Sequence, residues 1–360
     1  HPRAEGVRWG YPIELNDSLP GKRAGMLMLT QKETAMKLKI KTLCAGLLSL
    51  AVFGAAHAQT EIKLGHVGAP GSLFAKSSEE FARIANAKLN GKAKVVVFGS
   101  SQLGADKAMI QKLKLGTIDL ALPSSVMSSE VDMFGIFEMP YLVADRGHMA
   151  KIEQAIVWPT LAPAAEAKGL KIIGVWENGY RHITNNVRPI TTPEDLAGIK
   201  LRTPSSKWRV AMFKSYGANP SPLAFSELFT ALQTGVMDGQ ENPLTQIFSS
   251  KLHETQKYIS MSGHVYVPSY LTAGSRKWDK LPPDVRKILE QTAIEVQDYA
   301  YQMGAKGDNE LLAKITASGK TASNEVDKKA FVDASKQIYA DFGKEVNGAP
   351  ALINKVNSLR

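Results

Sequence analysis

The chain has 360 residues, with 44 Lys+Arg against 34 Asp+Glu, a formal balance of +10, 44% hydrophobic residues and a single Cys. This apolar content and near-balanced charge exclude a disordered chain, and one Cys excludes both a disulfide scaffold and a cysteine metal cluster. The length leaves room for two domains with a sizeable core.

In chain order, residues 1–35 contain scattered charges and no clear period, and read as a non-native or disordered N-terminal extension. Residues 36–58 read as a secretory signal peptide. Lys37, Lys39 and Lys41 precede an apolar run from Leu43 to Ala56, and Ala56-His57-Ala58 supplies the small residues that signal peptidase needs, so cleavage is expected after Ala58. The apolar run is shorter than the roughly 20 residues of a membrane-spanning helix. Residues 1–58 carry eight Lys/Arg, four Asp/Glu and the single Cys44. The chain from Gln59 therefore keeps 36 basic and 30 acidic residues, a balance of +6, and no Cys. It has no run of five like charges, which argues against a nucleic-acid stripe, while a mild positive field suits a small anion.

From Gln59 the pattern alternates strand and helix. Ile62–His66, Val95–Phe98 and Ile118–Leu122 read as strands, and 74–89 and 106–115 as helices, the second ended by Gly116. This rhythm predicts an α/β domain with a largely parallel sheet. A second series starts with a strand at Leu170–Val175. Thr192-Pro193 has the form of a helix start, and a strand at Ile199–Arg202 and helices over 207–216 and 226–233 follow. Beyond Pro282-Pro283, apolar residues at three- and four-residue steps predict a helix over 284–316, either continuous or broken at Gly304 or Gly307.

Residues 59–360 contain no HExxH, GxSxG or Walker loop, and their histidines are isolated in sequence. The informative stretches are Trp176-Glu177-Asn178-Gly179-Tyr180-Arg181-His182 and Ile199-Lys200-Leu201-Arg202-Thr203-Pro204. Both arginines are expected at or just beyond the C-terminal end of a strand, the edge where open α/β sheets bind ligands. There a guanidinium fork can hold a carboxylate by two parallel hydrogen bonds, or instead pair with a structural Glu.

Taken together with Ser101-Gln102-Leu103-Gly104, Ala224-Phe225-Ser226-Glu227 and Gly239-Gln240-Glu241-Asn242-Pro243, these runs resemble the DctP-type periplasmic receptors of TRAP transporters. The resemblance covers about 60 to 350. It implies a two-lobed periplasmic-binding-protein-like α/β fold with a long helix spanning both lobes. It also implies a receptor, with no enzymatic activity and no cofactor, that closes on an organic acid and delivers it to a sodium-coupled membrane permease. By this resemblance Arg202 clamps the carboxylate, Arg181 makes a second polar contact, Asn242 bonds the same ligand region and Phe225 packs on the ligand body.

His66, Phe74, Gln102, Ser124 and Ser125 sit at expected strand ends or turns and are candidate contacts from the other lobe. Trp176, Tyr180 and Trp208 add aromatic surface, and Glu177 joins the candidate contacts. Sialic-acid receptors carry an acid after the third strand, whereas this chain has Leu122-Pro123-Ser124-Ser125. A shorter hydroxy acid, a sugar acid or an aromatic acid is expected instead. The lobes are expected to be 59–178 plus about 267–305, and 179–266 plus about 306–360, in a periplasmic monomer that binds no nucleic acid. An ABC importer or sensor system is the alternative destination. An enzyme using Glu177 or Glu241 is the alternative from another class.

Overall fold

The computed structural model describes residues 59–360, which form one compact unit. The extension and signal peptide expected over 1–58 lie outside the described residues.

The first half opens with strands β1 (Thr60–Gly65), β2 (Ala93–Phe98) and β3 (Leu120–Ala121), parallel to one another. Helices Leu73–Leu89 and Asp106–Leu115 connect them, within a residue of expectation. Ser72 caps the first helix, its Oγ accepting from the Ala75 N–H at 3.1 Å, and Gly116 ends the second at φ +78°.

The sheet then departs from the parallel pattern. β4 runs over Leu170–Asn185, 16 residues where the sequence suggests six, and β9 (Tyr266–Gly274) lies antiparallel between β3 and β4. Along its second part, β4 pairs antiparallel with β7 (Gly239–Pro243) and β8 (Tyr258–Met261). Beyond β7 come β5 (Lys200–Thr203) and β6 (Asn219–Pro222), parallel again, while β10 (Ala322–Glu325) pairs β8. The sheet is therefore mixed, in the order β2-β1-β3-β9-β4-β7-β5-β6. β9, which returns from far along the chain, and the length of β4 join two α/β halves through antiparallel strands.

The long helix is continuous over Pro283–Thr316. Against the first half, its Ala293 carbonyl accepts from the Trp176 indole N–H at 2.9 Å, and Trp176 packs on Phe81 at 5.6 Å. Against the second half, Gly307 faces Thr245, and Ile315 joins a core with Leu228, Leu232, Ile247 and Ile259. Between the two, Gly304 sits on Glu177. A Cβ built at Gly304 would lie 1.5 Å from Glu177 Oε2. Glu177 cannot yield, because Arg146 holds it through two hydrogen bonds of 2.7 and 2.9 Å and the Tyr266 hydroxyl donates to it at 2.7 Å. A Gly→Ala change inside a helix ordinarily stabilises by about 1 kcal/mol. Gly304→Ala is expected to destabilise instead, by about 1–3 kcal/mol, as overpacking does. Urea unfolding checks the sign.

Candidate functional site

The two halves meet around a cavity lined by Val67, Phe74, Asp106, Ser124, Ser125, Val126, Asn178, Arg181, Arg202, Pro204, Phe225, Asn242 and Gln246. It holds about 360 Å³ of unfilled space, mouth included. Val67, Ser124–Val126 and Pro204 follow the C-terminal ends of β1, β3 and β5. Phe74, Asp106 and Phe225 stand at the starts of the helices Leu73–Leu89, Asp106–Leu115 and Phe225–Gln233. Strand ends and helix N-termini thus converge on one space, and the positive ends of the helix dipoles favour an anion there.

Arg202, near the end of β5, is 3% exposed. Its Nε donates to the Leu223 carbonyl at 2.9 Å, and its two terminal nitrogens reach no acceptor among the described residues. The guanidinium lies 5.8 Å from the centre of the Phe225 ring. Burial, reinforced by the nearby Arg181 charge, lowers its pKa to about 9, so the side chain is still charged at neutral pH. A planar cation with its outer edge unpaired, in a buried cavity, is suited to a bidentate carboxylate.

Arg181 has a different situation. It lies inside β4 rather than at a strand end. Its Nε donates to Glu241 Oε2 at 2.6 Å, and its Nη2 donates to Glu241 Oε1 at 2.8 Å and to the Glu241 carbonyl at 2.6 Å. Arg209 completes the cluster, 2.7 Å from Glu241 and 2.9 Å from Glu138, while His264 Nε2 is 2.8 Å from Glu241. Burial alone would push the Glu241 pKa up, but the two guanidinium groups and the His264 hydrogen bond hold it well below the usual carboxylate range. Burial lowers His264 to about 4, so it is neutral near pH 7. Arg181 therefore reaches the cavity with most of its hydrogen-bonding capacity already used by Glu241.

Asn178 and Arg181 are three residues apart and would face opposite sides of a regular strand. The β4–β9 register shifts between Glu177 and Gly179, and Gly179 has φ +120°, which only glycine adopts readily. This bulge resets the alternation, so both side chains line the cavity while Glu177 and Tyr180 turn elsewhere.

Of the expected contacts, the cavity brings together Arg202, Arg181, Asn242, Phe225, Phe74, Ser124 and Ser125. Six others are not in its wall. Trp176 is fully buried between Phe81 and the long helix. Glu177 is sealed under Gly304 by Arg146 and Tyr266. Trp208 packs edge-on against Phe342 in the core. Tyr180 lines a separate groove with Tyr141 and Tyr339, its hydroxyl on the Ala144 carbonyl. His66 sits behind Phe74, its Nδ1 accepting from the Gly68 N–H, and burial lowers it to about 4. Gln102 is exposed on its turn. His66 and Gln102 were expected from strand-end or turn placement and the three aromatics as aromatic surface, and neither argument shows the direction a side chain takes.

Sequence reasoning missed Asp106, Asn178 and Gln246 as lining residues. Asp106 was visible only as a helix start. Burial pushes its carboxyl up to about 7 against the opposing pull of Arg202. Neither carboxylate of the enzyme reading is free to act as a base, since both are locked in ion pairs away from open space.

Comparison with known proteins agrees with this geometry. The 2,3-diketo-L-gulonate-binding periplasmic protein YiaO of Escherichia coli is 31% identical over 328 residues, 90% of this chain and all of the relative. A TRAP periplasmic solute-binding protein from Sulfurospirillum deleyianum, solved with bound succinate, matches at 35% identity and a TM-score of 0.80, over 84% of this chain and all of the other. One from a Polaromonas species, bound to D-erythronate, matches at 33% identity and a TM-score of 0.79, over 83% and 98%. These neighbours are two-lobed periplasmic binding proteins, receptors rather than enzymes. The model of the bacterial extracellular solute-binding protein family 7, DctP, matches residues 64–345, and the chain belongs to that family of TRAP-type receptors.

Proposed function

We propose that the chain is the extracytoplasmic receptor of a TRAP transporter, binding an organic acid anion between its lobes. The cargo is a sugar acid or a small hydroxy or aromatic carboxylate. The receptor hands it to a sodium-coupled membrane permease. The observation that carries this reading is Arg202, a buried guanidinium in the cavity wall whose outer edge has no acceptor among the described residues.

Export by the 36–58 signal, with cleavage after Ala58, fits the periplasmic relatives. The lobe boundaries 59–178 plus about 267–305, and 179–266 plus about 306–360, are supported by β4. It pairs β9 up to Tyr180 and pairs β7 from Arg181. Closure about this crossing shuts the cavity on the ligand, and exclusion of water there strengthens the ion pair with Arg202. A monomer that presents both lobes to the permease completes the reading.

A thermal-shift screen against sugar acids, hydroxy acids, dicarboxylates and aromatic acids tests it. A cognate acid at a hundred times its Kd stabilises by about 2.7 kcal/mol, a rise in Tm of roughly 4 °C. No shift with any organic acid overturns the reading.

A further inference from the structure

The two asparagines of the cavity are both held with their oxygens free, and the hydrogen-bond chemistry leaves no alternative orientation. Ser124 has one hydroxyl proton and donates it to the Pro268 carbonyl at 2.7 Å. Toward Asn178, Ser124 can therefore only accept, so the amide Nδ2 must face it, at 3.1 Å. Asn178 Oδ1 is left buried with no partner among the described residues.

Asn242 is set by a longer relay that starts at the backbone. Gln256 Nε2 donates to the Thr255 carbonyl at 3.0 Å, which turns Gln256 Oε1 to accept from the Thr184 hydroxyl at 2.8 Å. With its proton committed, Thr184 accepts from Gln240 Nε2 at 2.9 Å, and Gln240 Oε1 accepts from Asn242 Nδ2 at 2.6 Å. The end of Asn242 without a protein partner is again the carbonyl oxygen. Asp106, in the same wall, adds a third buried oxygen without a partner, its Oδ1.

Against these acceptors stand two cationic groups with donors left over among the described residues: the outer edge of Arg202, and Nη1 of Arg181, whose Nε and Nη2 are bound to Glu241. Arg209 is bound to Glu241 and Glu138. The Arg181 charge acts on Arg202, so the cationic donors gather at one place for a carboxylate. The rest of the polar wall is Ser125 and the amide Gln246, whose Oε1 is a further buried oxygen without a partner among the described residues.

We propose that the cleft selects a short hydroxylated monocarboxylate and discriminates against dicarboxylates of the same chain length. This rests on the organic-acid receptor reading and narrows it. Ligand hydroxyls donate to Asn178 Oδ1, Asn242 Oδ1 and Asp106. A second carboxylate has no proton to donate, and at pH 8 Asp106, pushed up to about 7, is mostly ionised and has none to give it. It sets oxygen against oxygen and leaves buried acceptors unpaired, the situation in which a site built for hydroxyls rejects an analogue lacking them. An unsubstituted acid fills the space and also leaves those acceptors unmet.

Isothermal titration of the protein at pH 8 with D-erythronate, butyrate and succinate, all of four carbons, tests the proposal. D-erythronate is expected to bind at least tenfold more tightly than either of the others. Ser124→Ala removes the group that orients Asn178 and is expected to reduce the erythronate-to-succinate ratio several-fold. Asp106→Asn, a second and independent variant, adds a donor to the wall and is expected to reduce it as well. Succinate or butyrate binding as tightly as erythronate, or a ratio unchanged in both folded variants, overturns the proposal while leaving the receptor reading in place. Absence of binding by all three acids overturns this proposal, and the receptor reading is then decided by the wider thermal-shift screen.

Discussion

Arg202→Ala is expected to abolish useful binding of every cognate acid while leaving the fold intact. Removing one partner of a buried, hydrogen-bonded charge pair costs about 2–5 kcal/mol, roughly a thirtyfold to several-thousandfold loss of affinity. The unliganded protein should not suffer in proportion. In the folded chain Arg202 makes one hydrogen bond, to the Leu223 carbonyl, and is otherwise a buried charge without an acceptor at its terminal nitrogens. Its removal takes away a desolvation cost together with that bond. Titration calorimetry should show the loss, and thermal melting without ligand should show a Tm within a few degrees of wild type. Arg202→Lys separates charge from shape. The ammonium keeps the charge but cannot offer two parallel donors to a carboxylate, so an intermediate affinity is expected. Unchanged binding in Arg202→Ala would remove Arg202 from the site.

Glu241→Gln is expected to show the reverse pattern, a large loss of stability. Among the described residues Glu241 alone pairs directly with both Arg181 and Arg209 and also accepts from His264, all fully or almost fully buried. Breaking a buried ion pair from one side costs about 3–5 kcal/mol, because the opposite charge stays buried and uncompensated. For a chain of this size that is a fall in Tm of roughly 5–8 °C. Acid titration follows the same pair. The folded pKa of Glu241 is held well below its unfolded value near 4.5, so the folded chain resists protonation there. Its contribution to stability is complete above about pH 4.5 and is lost as the pH falls through the depressed folded value. The variant should lack that share of the acid dependence. A Glu241→Gln protein as stable as wild type would show that the cluster is held by something other than this carboxylate.

The contrast between the two residues follows from what each guanidinium touches. Arg181 and Arg202 are similar as sequence features: each follows a β-rich run, and each lies in a motif that the resemblance marks. In the fold both reach the cavity, but one has most of its donors taken by a carboxylate on the neighbouring strand and the other keeps its whole outer edge. The register of β4 on β7 decides this, because it sets Ile183 opposite Glu241 and brings Arg181 beside it on the same side. No spacing within either segment encodes that register, which arises only when chain segments about 60 residues apart pair.

The aromatic candidates went astray for a related reason. Trp176 and Trp208 are large apolar groups near motif residues, and the structure uses both for packing. Gly179 redirects Asn178 into the cavity and leaves Glu177 under the long helix. A period-two pattern cannot anticipate this, because the bulge shifts the alternation by one residue.

What the sequence by itself determined is local or motif-borne. The helices over 74–89 and 106–115, the helical pattern over 284–316 though not its continuity, the family, and the presence of Arg202, Asn242, Phe225 and the two serines at one cavity were legible before the chain was folded. Each depends on helical periodicity, capping chemistry or a contiguous motif. What only the tertiary structure decided is orientation: which arginine keeps an open edge, which carboxylates are locked in ion pairs, and which way the amides of Asn178 and Asn242 turn. Those outcomes depend on hydrogen bonds between segments far apart in the chain, such as Ser124 with Pro268 and Glu241 with Arg181. A donor or acceptor becomes available to a ligand only after the fold has assigned all the others.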